Sequence, residues 1–252
     1  MTKLLIDTLK LATLGLSLCA AATGTARAAT GATTATTATT ATERSGGAPA
    51  AAPTIRAMLG ATPLDSLDPK RTALVVIDFQ NEYFTGRMPI PDGALALANT
   101  QRLLALADRT GMPVFQIQHI APGGAAVFAL DGKTVDFAPG ATPRARDTVL
   151  QKTSVSVFAS TDLNARLKAA RVDTLLIAGL MTHACVAGAA RDAVPLGYRV
   201  VVASDASATR DIVRADGSRV GHAALHRAAL AEIEDTFGDV MTTDRVLALP
   251  PR

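Results

Sequence analysis

From Thr72 onward, short continuous apolar runs alternate with longer segments whose apolar residues recur at helical spacing. The first run, Ala73-Leu74-Val75-Val76-Ile77, has no polar alternation, as expected for a strand buried on both faces. It stops at Asp78. Pro91-Asp92-Gly93 then opens a segment carrying Leu95, Leu97, Leu103, Leu104 and Leu106, closed by Gly111 with Pro113 just beyond, which predicts a helix. Further strands are predicted at 114–118, ending near His119; at 148–151, delivering Lys152; at 174–178, ending at Gly179; at 199–203; and near 239–242. Helices are predicted between them. One is capped by Ser160 or Thr161 and runs through Leu163 and Leu167 to Ala170. A second begins near His183 and carries small residues that permit close packing. A third spans about 221–233.

This alternation is the signature of a parallel sheet covered by helices. The predicted fold class is α/β: a three-layer α/β/α, doubly wound (Rossmann-like), mostly parallel sheet in a single domain. The Gly- and Pro-bearing stretch from Pro122 to Arg146 has no clear periodicity. Loops of that length in compact domains are usually functional, so it is expected to lie over the site.

The N-terminal part follows a different pattern. Residues 1–28 have the form of a signal peptide: Lys3 and Lys10, an apolar run from Leu11 to Ala22, then Ala26-Arg27-Ala28, with cleavage expected after Ala28. The run is too short to span a bilayer comfortably, so export to the periplasm or beyond is expected, with no membrane span after cleavage. Residues 29–55 are nearly all Ala, Thr and Gly at first and offer no large apolar group to bury, which predicts a disordered linker. The folded domain is then 56–252.

Charge and cysteine content change the picture in two places. The leader's Lys3, Lys10 and Arg27 against Asp7 account for two of the three net positive charges, leaving +1 on the mature chain. With no basic stripe and no Trp, a nucleic-acid partner has no support. Of the two cysteines, Cys19 leaves with the leader, the alternatives being a retained anchor or lipidation at Cys19, so Cys185 is left as a lone thiol, either a buried apolar filler or a reactive group.

Asp78, Lys152 and Cys185 each have an ordinary structural explanation: a turn cap, a solvated charge, a core residue. Their positions at the carboxyl ends of predicted strands put all three in one crevice, where ligands bind in sheets of this kind. A thiol needs to become a thiolate to attack, and a helix N-terminus and a neighbouring ammonium both lower its pKa, so a lowered thiol pKa is expected at Cys185. Asp78 can take the thiol proton and return it to a leaving group, with Lys152 holding Asp78 ionised.

With these motifs in view, the chain from Thr72 to about Thr242 resembles the isochorismatase-like cysteine hydrolases. The matching stretches are Val76-Ile77-Asp78-Phe79-Gln80-Asn81-Glu82-Tyr83-Phe84, Gln151-Lys152-Thr153-Ser154-Val155-Ser156-Val157-Phe158, Gly179-Leu180-Met181-Thr182-His183-Ala184-Cys185-Val186 and Ala203-Ser204-Asp205-Ala206-Ser207-Ala208-Thr209. The resemblance implies a catalytic triad of Asp78, Lys152 and Cys185, a cis peptide between Leu180 and Met181, and an oxyanion hole from the backbone N–H groups of Met181 and Cys185. It implies hydrolysis of a small amide or related C–N bond through a thioester, and a homo-oligomer. The alternatives are a vinyl-ether hydrolase, which in this family typically lacks the Cys, and a noncatalytic small-ligand binder on the same fold.

No cofactor is expected. Nicotinamidases of the superfamily carry an Asp-x-His metal motif where this chain has Gln116-Ile117-Gln118-His119, and His222 and His226, four apart on a helix, have no identifiable third ligand, so no metal is expected. The substrate is expected to be a small, partly apolar molecule met by Gln80, Phe84, Phe158 and His183, with Phe128 and Phe137 on the long loop nearby.

Overall fold

Six of the predicted apolar runs pair side by side. In the computed structural model, which describes residues 52–252, strands β1 (Thr72–Ile77), β2 (Val114–His119), β3 (Thr148–Lys152), β4 (Thr174–Leu180), β5 (Arg199–Ala208) and β8 (Asp239–Met241) form one sheet in the order β3-β2-β1-β4-β5-β8. Every pairing in it is parallel. A second, two-stranded sheet is the antiparallel hairpin of β6 (Ile212–Val213) and β7 (Arg219–Val220).

The chain winds outward from β1 through β2 to β3, then returns to β4 on the other side of β1. The crevice between β1 and β4 is therefore the switch point at which sheets of this kind bind ligands. All six residues of β1 and all seven of β4 are buried, which is why neither run shows polar alternation. Within β1 the side chains still divide by face. Leu74 and Val76 join one core with α2 (Gly93–Thr110), and Ala73, Val75 and Ile77 join the other with α3 (Leu163–Ala169) and α4 (Ala187–Ala193). Short helices α1 (Ile55–Met58) and α6 (Thr243–Leu247) and the longer α5 (His222–Glu232) complete the structure.

Several boundaries moved from the expected ones. β5 runs on to Ala208 rather than ending at Ala203, so the motif ending in Thr209 is a strand and its exit. Leu163 takes its first-turn cap from the Thr161 hydroxyl, 3.2 Å away. The Ser160 hydroxyl instead accepts the N–H groups of Thr153 and Ser154 at 3.1 and 3.2 Å, fixing the turn just after Lys152. The helix at Ile55 begins one residue inside the segment predicted as linker, with the Thr54 hydroxyl accepting the Ala57 N–H. The predicted signal peptide and the linker through residue 51 lie outside the described residues. Among the described residues no helix is long and apolar enough to cross a membrane.

Candidate active site

Asp78 is the first residue beyond β1. Its φ of +55° turns the chain sharply out of the strand, a conformation Asp tolerates better than most residues. The close approach of β4 supports that turn. Gly179, opposite Ile77 in register, has φ +153°, and a Cβ there would stand 2.5 Å from the Ile77 carbonyl oxygen. Only glycine lets the two central strands meet at this height. Lys152 ends β3, and Cys185 lies in a single π-helical turn, Thr182–Val186, that leads into α4. Wide turns of this type recur at functional sites because they re-aim one side chain within a helix. The peptide bond between Leu180 and Met181, just before that turn, is cis.

The three side chains predicted from the sequence meet. Lys152 Nζ lies 2.8 Å from Asp78 Oδ2 and donates to Cys185 Sγ at 3.3 Å. Its other donors go to the Ser154 carbonyl at 3.2 Å and to His119 Nδ1 at 2.7 Å. An ammonium has no acceptor, so His119 accepts through Nδ1 and carries its proton on Nε2. Four groups thus share the three protons of the Lys152 ammonium, with Asp78 at ion-pair distance. Both Asp78 oxygens are buried without a hydrogen-bond partner. Asp78 and Lys152 are fully buried and Cys185 is 4% exposed.

This environment reverses one expectation. Burial, seconded by the negative charge of Asp78, pushes the Cys185 thiol up to about 12, and the Lys152 ammonium only partly opposes it. Burial likewise raises Asp78 above the ordinary carboxylate range, against the pull of Lys152. The thiol is therefore neutral at rest, and the carboxyl beside it is a stronger base than a solvated aspartate. Burial and the neighbouring ammonium push His119 down to about 4.

The substrate-contact candidates fall in different places. Gln80 is wholly buried and its amide is fully used: Nε2 donates to the carbonyls of His119 and Val135 at 2.8 and 2.7 Å, and Oε1 accepts the His119 N–H at 2.8 Å. It ties the ends of β1 and β2 to the long loop. Phe84 packs at the edge of the α2-side core, and Phe158 at the edge of the other, stacked on Tyr198 at 6.1 Å. His183 Nδ1 lies 2.6 Å from the Thr209 hydroxyl, two residues before Cys185.

The loop of 122–146 does lie over this end of the sheet. Phe128 is buried, 4.8 Å from the His119 ring and edge-on to Tyr83 at 5.4 Å. Phe137 forms a backbone bridge with Gln80.

Three residues at the site escaped the sequence reading as participants. The sequence points to His119 only as a possible metal ligand, although its place at the end of the strand next to β1 is a usable signal. Tyr83 is buried, and burial, with the negative charge of Asp78 added, raises its phenol. Arg210, just past β5, acts on both Tyr83 and His183 electrostatically.

Asp78, His119 and Cys185 place one donor atom each within 4.8 Å of one another, and among the described residues this is the one such cluster. The Lys152 ammonium already sits against all three, so a cation would have to displace it. His222 Nδ1 is 2.7 Å from Asp211 and His226 Nδ1 2.8 Å from the Thr182 hydroxyl, so each has its own partner.

Comparison with known proteins gives a consistent result. A family model described as the isochorismatase domain matches residues 72–245. YddQ, an isochorismatase family protein of Bacillus subtilis, is 35% identical over 178 residues, covering 70% of this chain and 98% of its own. Maleamate amidohydrolase of Pseudomonas putida is 31% identical over 189 residues, covering 69% and 84%. The crystal structure of a cysteine hydrolase from Pseudomonas syringae superposes with a TM-score of 0.69 at 29% identity, covering 74% of this chain and 96% of that one.

Proposed function

The chain belongs to the isochorismatase family of hydrolases, and from that premise we propose that it cleaves a small amide or related C–N bond through a thioester on Cys185. The observation that carries this reading is the contact of Cys185 Sγ with Lys152 Nζ at 3.3 Å, with Asp78 Oδ2 a further 2.8 Å from that ammonium. A vinyl-ether hydrolase needs an acid but no thiol. Here the one thiol among the described residues lies against the acid's own partner.

In the proposed reaction, Sγ attacks the carbonyl carbon while the thiol proton passes to Asp78. The carbonyl oxygen becomes an oxyanion facing the N–H groups of Met181 and Cys185. The Met181 carbonyl is already engaged, accepting from the N–H groups of Ala184 and Val186 at 3.1 and 3.2 Å. Asp78 then gives its proton to the departing nitrogen, the C–N bond breaks, and ammonia or an amine leaves. Asp78 next takes a proton from water, whose oxygen attacks the thioester; the C–S bond breaks and the sulfur recovers its proton. Lys152 keeps its charge throughout and steadies whichever partner is anionic.

The names of relatives fit this chemistry, since one is an amidohydrolase and one a cysteine hydrolase. The leader at 1–28 and the Ala/Thr-rich stretch after it support a periplasmic or secreted enzyme, and its assembly as a homo-oligomer belongs to the same proposal. The test is release of ammonia from a panel of small amides by wild-type protein and by Cys185→Ala. Turnover in the wild type that disappears in the variant supports the proposal. Equal turnover in both overturns it in favour of non-covalent hydrolysis, and no turnover with unimpaired ligand binding points to a binding protein.

A further inference from the structure

The first residue of the nucleophile's turn is tied sideways to a different helix. Thr182 is fully buried, and its hydroxyl lies 2.8 Å from Nδ1 of His226 in α5. A threonine in a helical turn ordinarily bonds back to nearby backbone or faces water. Here its carbonyl accepts the N–H of Ala187, the i+5 bond that makes the turn wide, and its side chain is left for α5. On the other flank, His183 Nδ1 meets the Thr209 hydroxyl at 2.6 Å, at the exit of β5.

His226 is suited to that bond. It is half-buried, and burial lowers its pKa from the ordinary 6.5, so the ring is uncharged at neutral pH. The ring also meets the carbonyl of Ser204 in β5. A carbonyl only accepts, so the ring proton faces Ser204 and Nδ1 accepts the proton of the Thr182 hydroxyl. Ser204 in turn donates its own hydroxyl to the Met241 carbonyl of β8 at 3.2 Å. One imidazole thereby links the nucleophile's turn to β5 and β8. Packing of α5 supplies little of this link, since Ala229 alone in that helix is fully buried.

We infer that His226 is a positioning residue for Cys185, acting through the Thr182 hydroxyl to hold the wide turn that aims the sulfur. Thr182 stands between Met181 and Cys185, whose N–H groups are assigned to the oxyanion, so fixing its side chain fixes the backbone that carries both. A displacement on the order of 1 Å in such groups costs up to about a hundredfold in rate. What the positioned sulfur does rests on the thioester reading. That it is positioned does not.

Four variants test this: Thr182→Val and His226→Leu remove the bond, Thr182→Ser keeps the hydroxyl, and His226→Asn offers an oxygen close to where Nδ1 stands. Alkylation of Cys185 by iodoacetamide, followed by peptide mass mapping, reads the aim of the sulfur whether or not an amide is turned over. It is expected to slow about fivefold to tenfold in T182V and H226L and to stay within about twofold of wild type in T182S and H226N. On an amide substrate, kcat should fall about tenfold in T182V and H226L with KM within about twofold, and the double variant should lose no more than either single one. Thermal unfolding checks that each variant folds; should T182V not fold, H226L, altered on the α5 side of the same bond, carries the test. Alkylation unchanged or faster in H226L, with only its melting temperature lowered, overturns the inference and marks the ring as a support of α5 alone. Losses that multiply in the double variant overturn it as well. Slower alkylation in H226L together with amide turnover that survives Cys185→Ala leaves the positioning role standing and rejects the thioester reading.

Discussion

Lys152 Nζ and Asp78 Oδ2 are 2.8 Å apart, with neither side chain exposed to solvent. The ammonium belongs to β3 and the carboxylate to the exit of β1, with β2 lying between them in the sheet. Removing one charge from such a pair leaves the other buried and uncompensated. Lys152→Met should therefore cost about 3–5 kcal/mol of stability as well as activity. Asp78→Asn combined with Lys152→Met should recover most of that stability in denaturant titration and none of the turnover. A single variant as stable as wild type would show that water reaches the pair.

The pH dependence follows from the two raised groups. In the proposed reaction Asp78 is ionised when it receives the thiol proton, so kcat/KM should fall on the acid side with a midpoint above the ordinary Asp value of 3.8. Alkylation of Cys185 should keep accelerating beyond pH 9, because its thiol stands at about 12. Asp78 raises that value, so Asp78→Asn should bring the alkylation midpoint down while abolishing turnover. A midpoint that does not fall in this variant would detach Asp78 from the thiol.

The β1–β4 approach gives a sharper structural test. Gly179→Ala would place Cβ 2.5 Å from the Ile77 carbonyl oxygen, forcing apart the backbone that aims Asp78. A loss of roughly 1–3 kcal/mol, with kcat/KM down by at least about tenfold, is expected. Gly197→Ala is the control. It also has positive φ, but nothing lies within 4 Å of its Cβ, so stability should drop modestly and activity not at all.

His119 links stability to acidity with the opposite sign from Asp78. Its folded pKa of about 4 lies below the ordinary 6.5, so its stabilising contribution is complete above pH 6.5 and is lost as pH falls towards 4. With solvent screening allowed for, the loss is on the order of 1–2 kcal/mol. Thermal unfolding across that window should show the slope in wild type and a flatter profile in His119→Gln.

The sheet and the three central residues were legible in the sequence for a physical reason. Strands buried on both faces leave unbroken apolar runs, such as those ending at Ile77 and Ala178, and the residue after each run lies at the ligand-binding edge. Position along the chain says nothing about environment, however. The lowered thiol pKa expected at Cys185 assumed an accessible helix end, and enclosure of the site by packed strands and the loop around Phe128 inverted it. Gln80 looked like a substrate contact because it follows Asp78 closely, yet its amide is spent on His119 and Val135 from strands and loops distant in sequence. Arg210 stands one residue past the motif ending in Thr209, but that its Nε is buried without a hydrogen-bond partner is visible only once its surroundings are known.

The most direct measurement is the mass of the Cys185 peptide after rapid acid quench of the enzyme turning over an amide substrate. The account predicts a transient adduct equal to the substrate's acyl group on Cys185, formed together with a burst of ammonia or amine and absent in Asp78→Asn. Steady turnover with an unmodified Cys185 peptide at every quench time, and undiminished in Cys185→Ala, would contradict it.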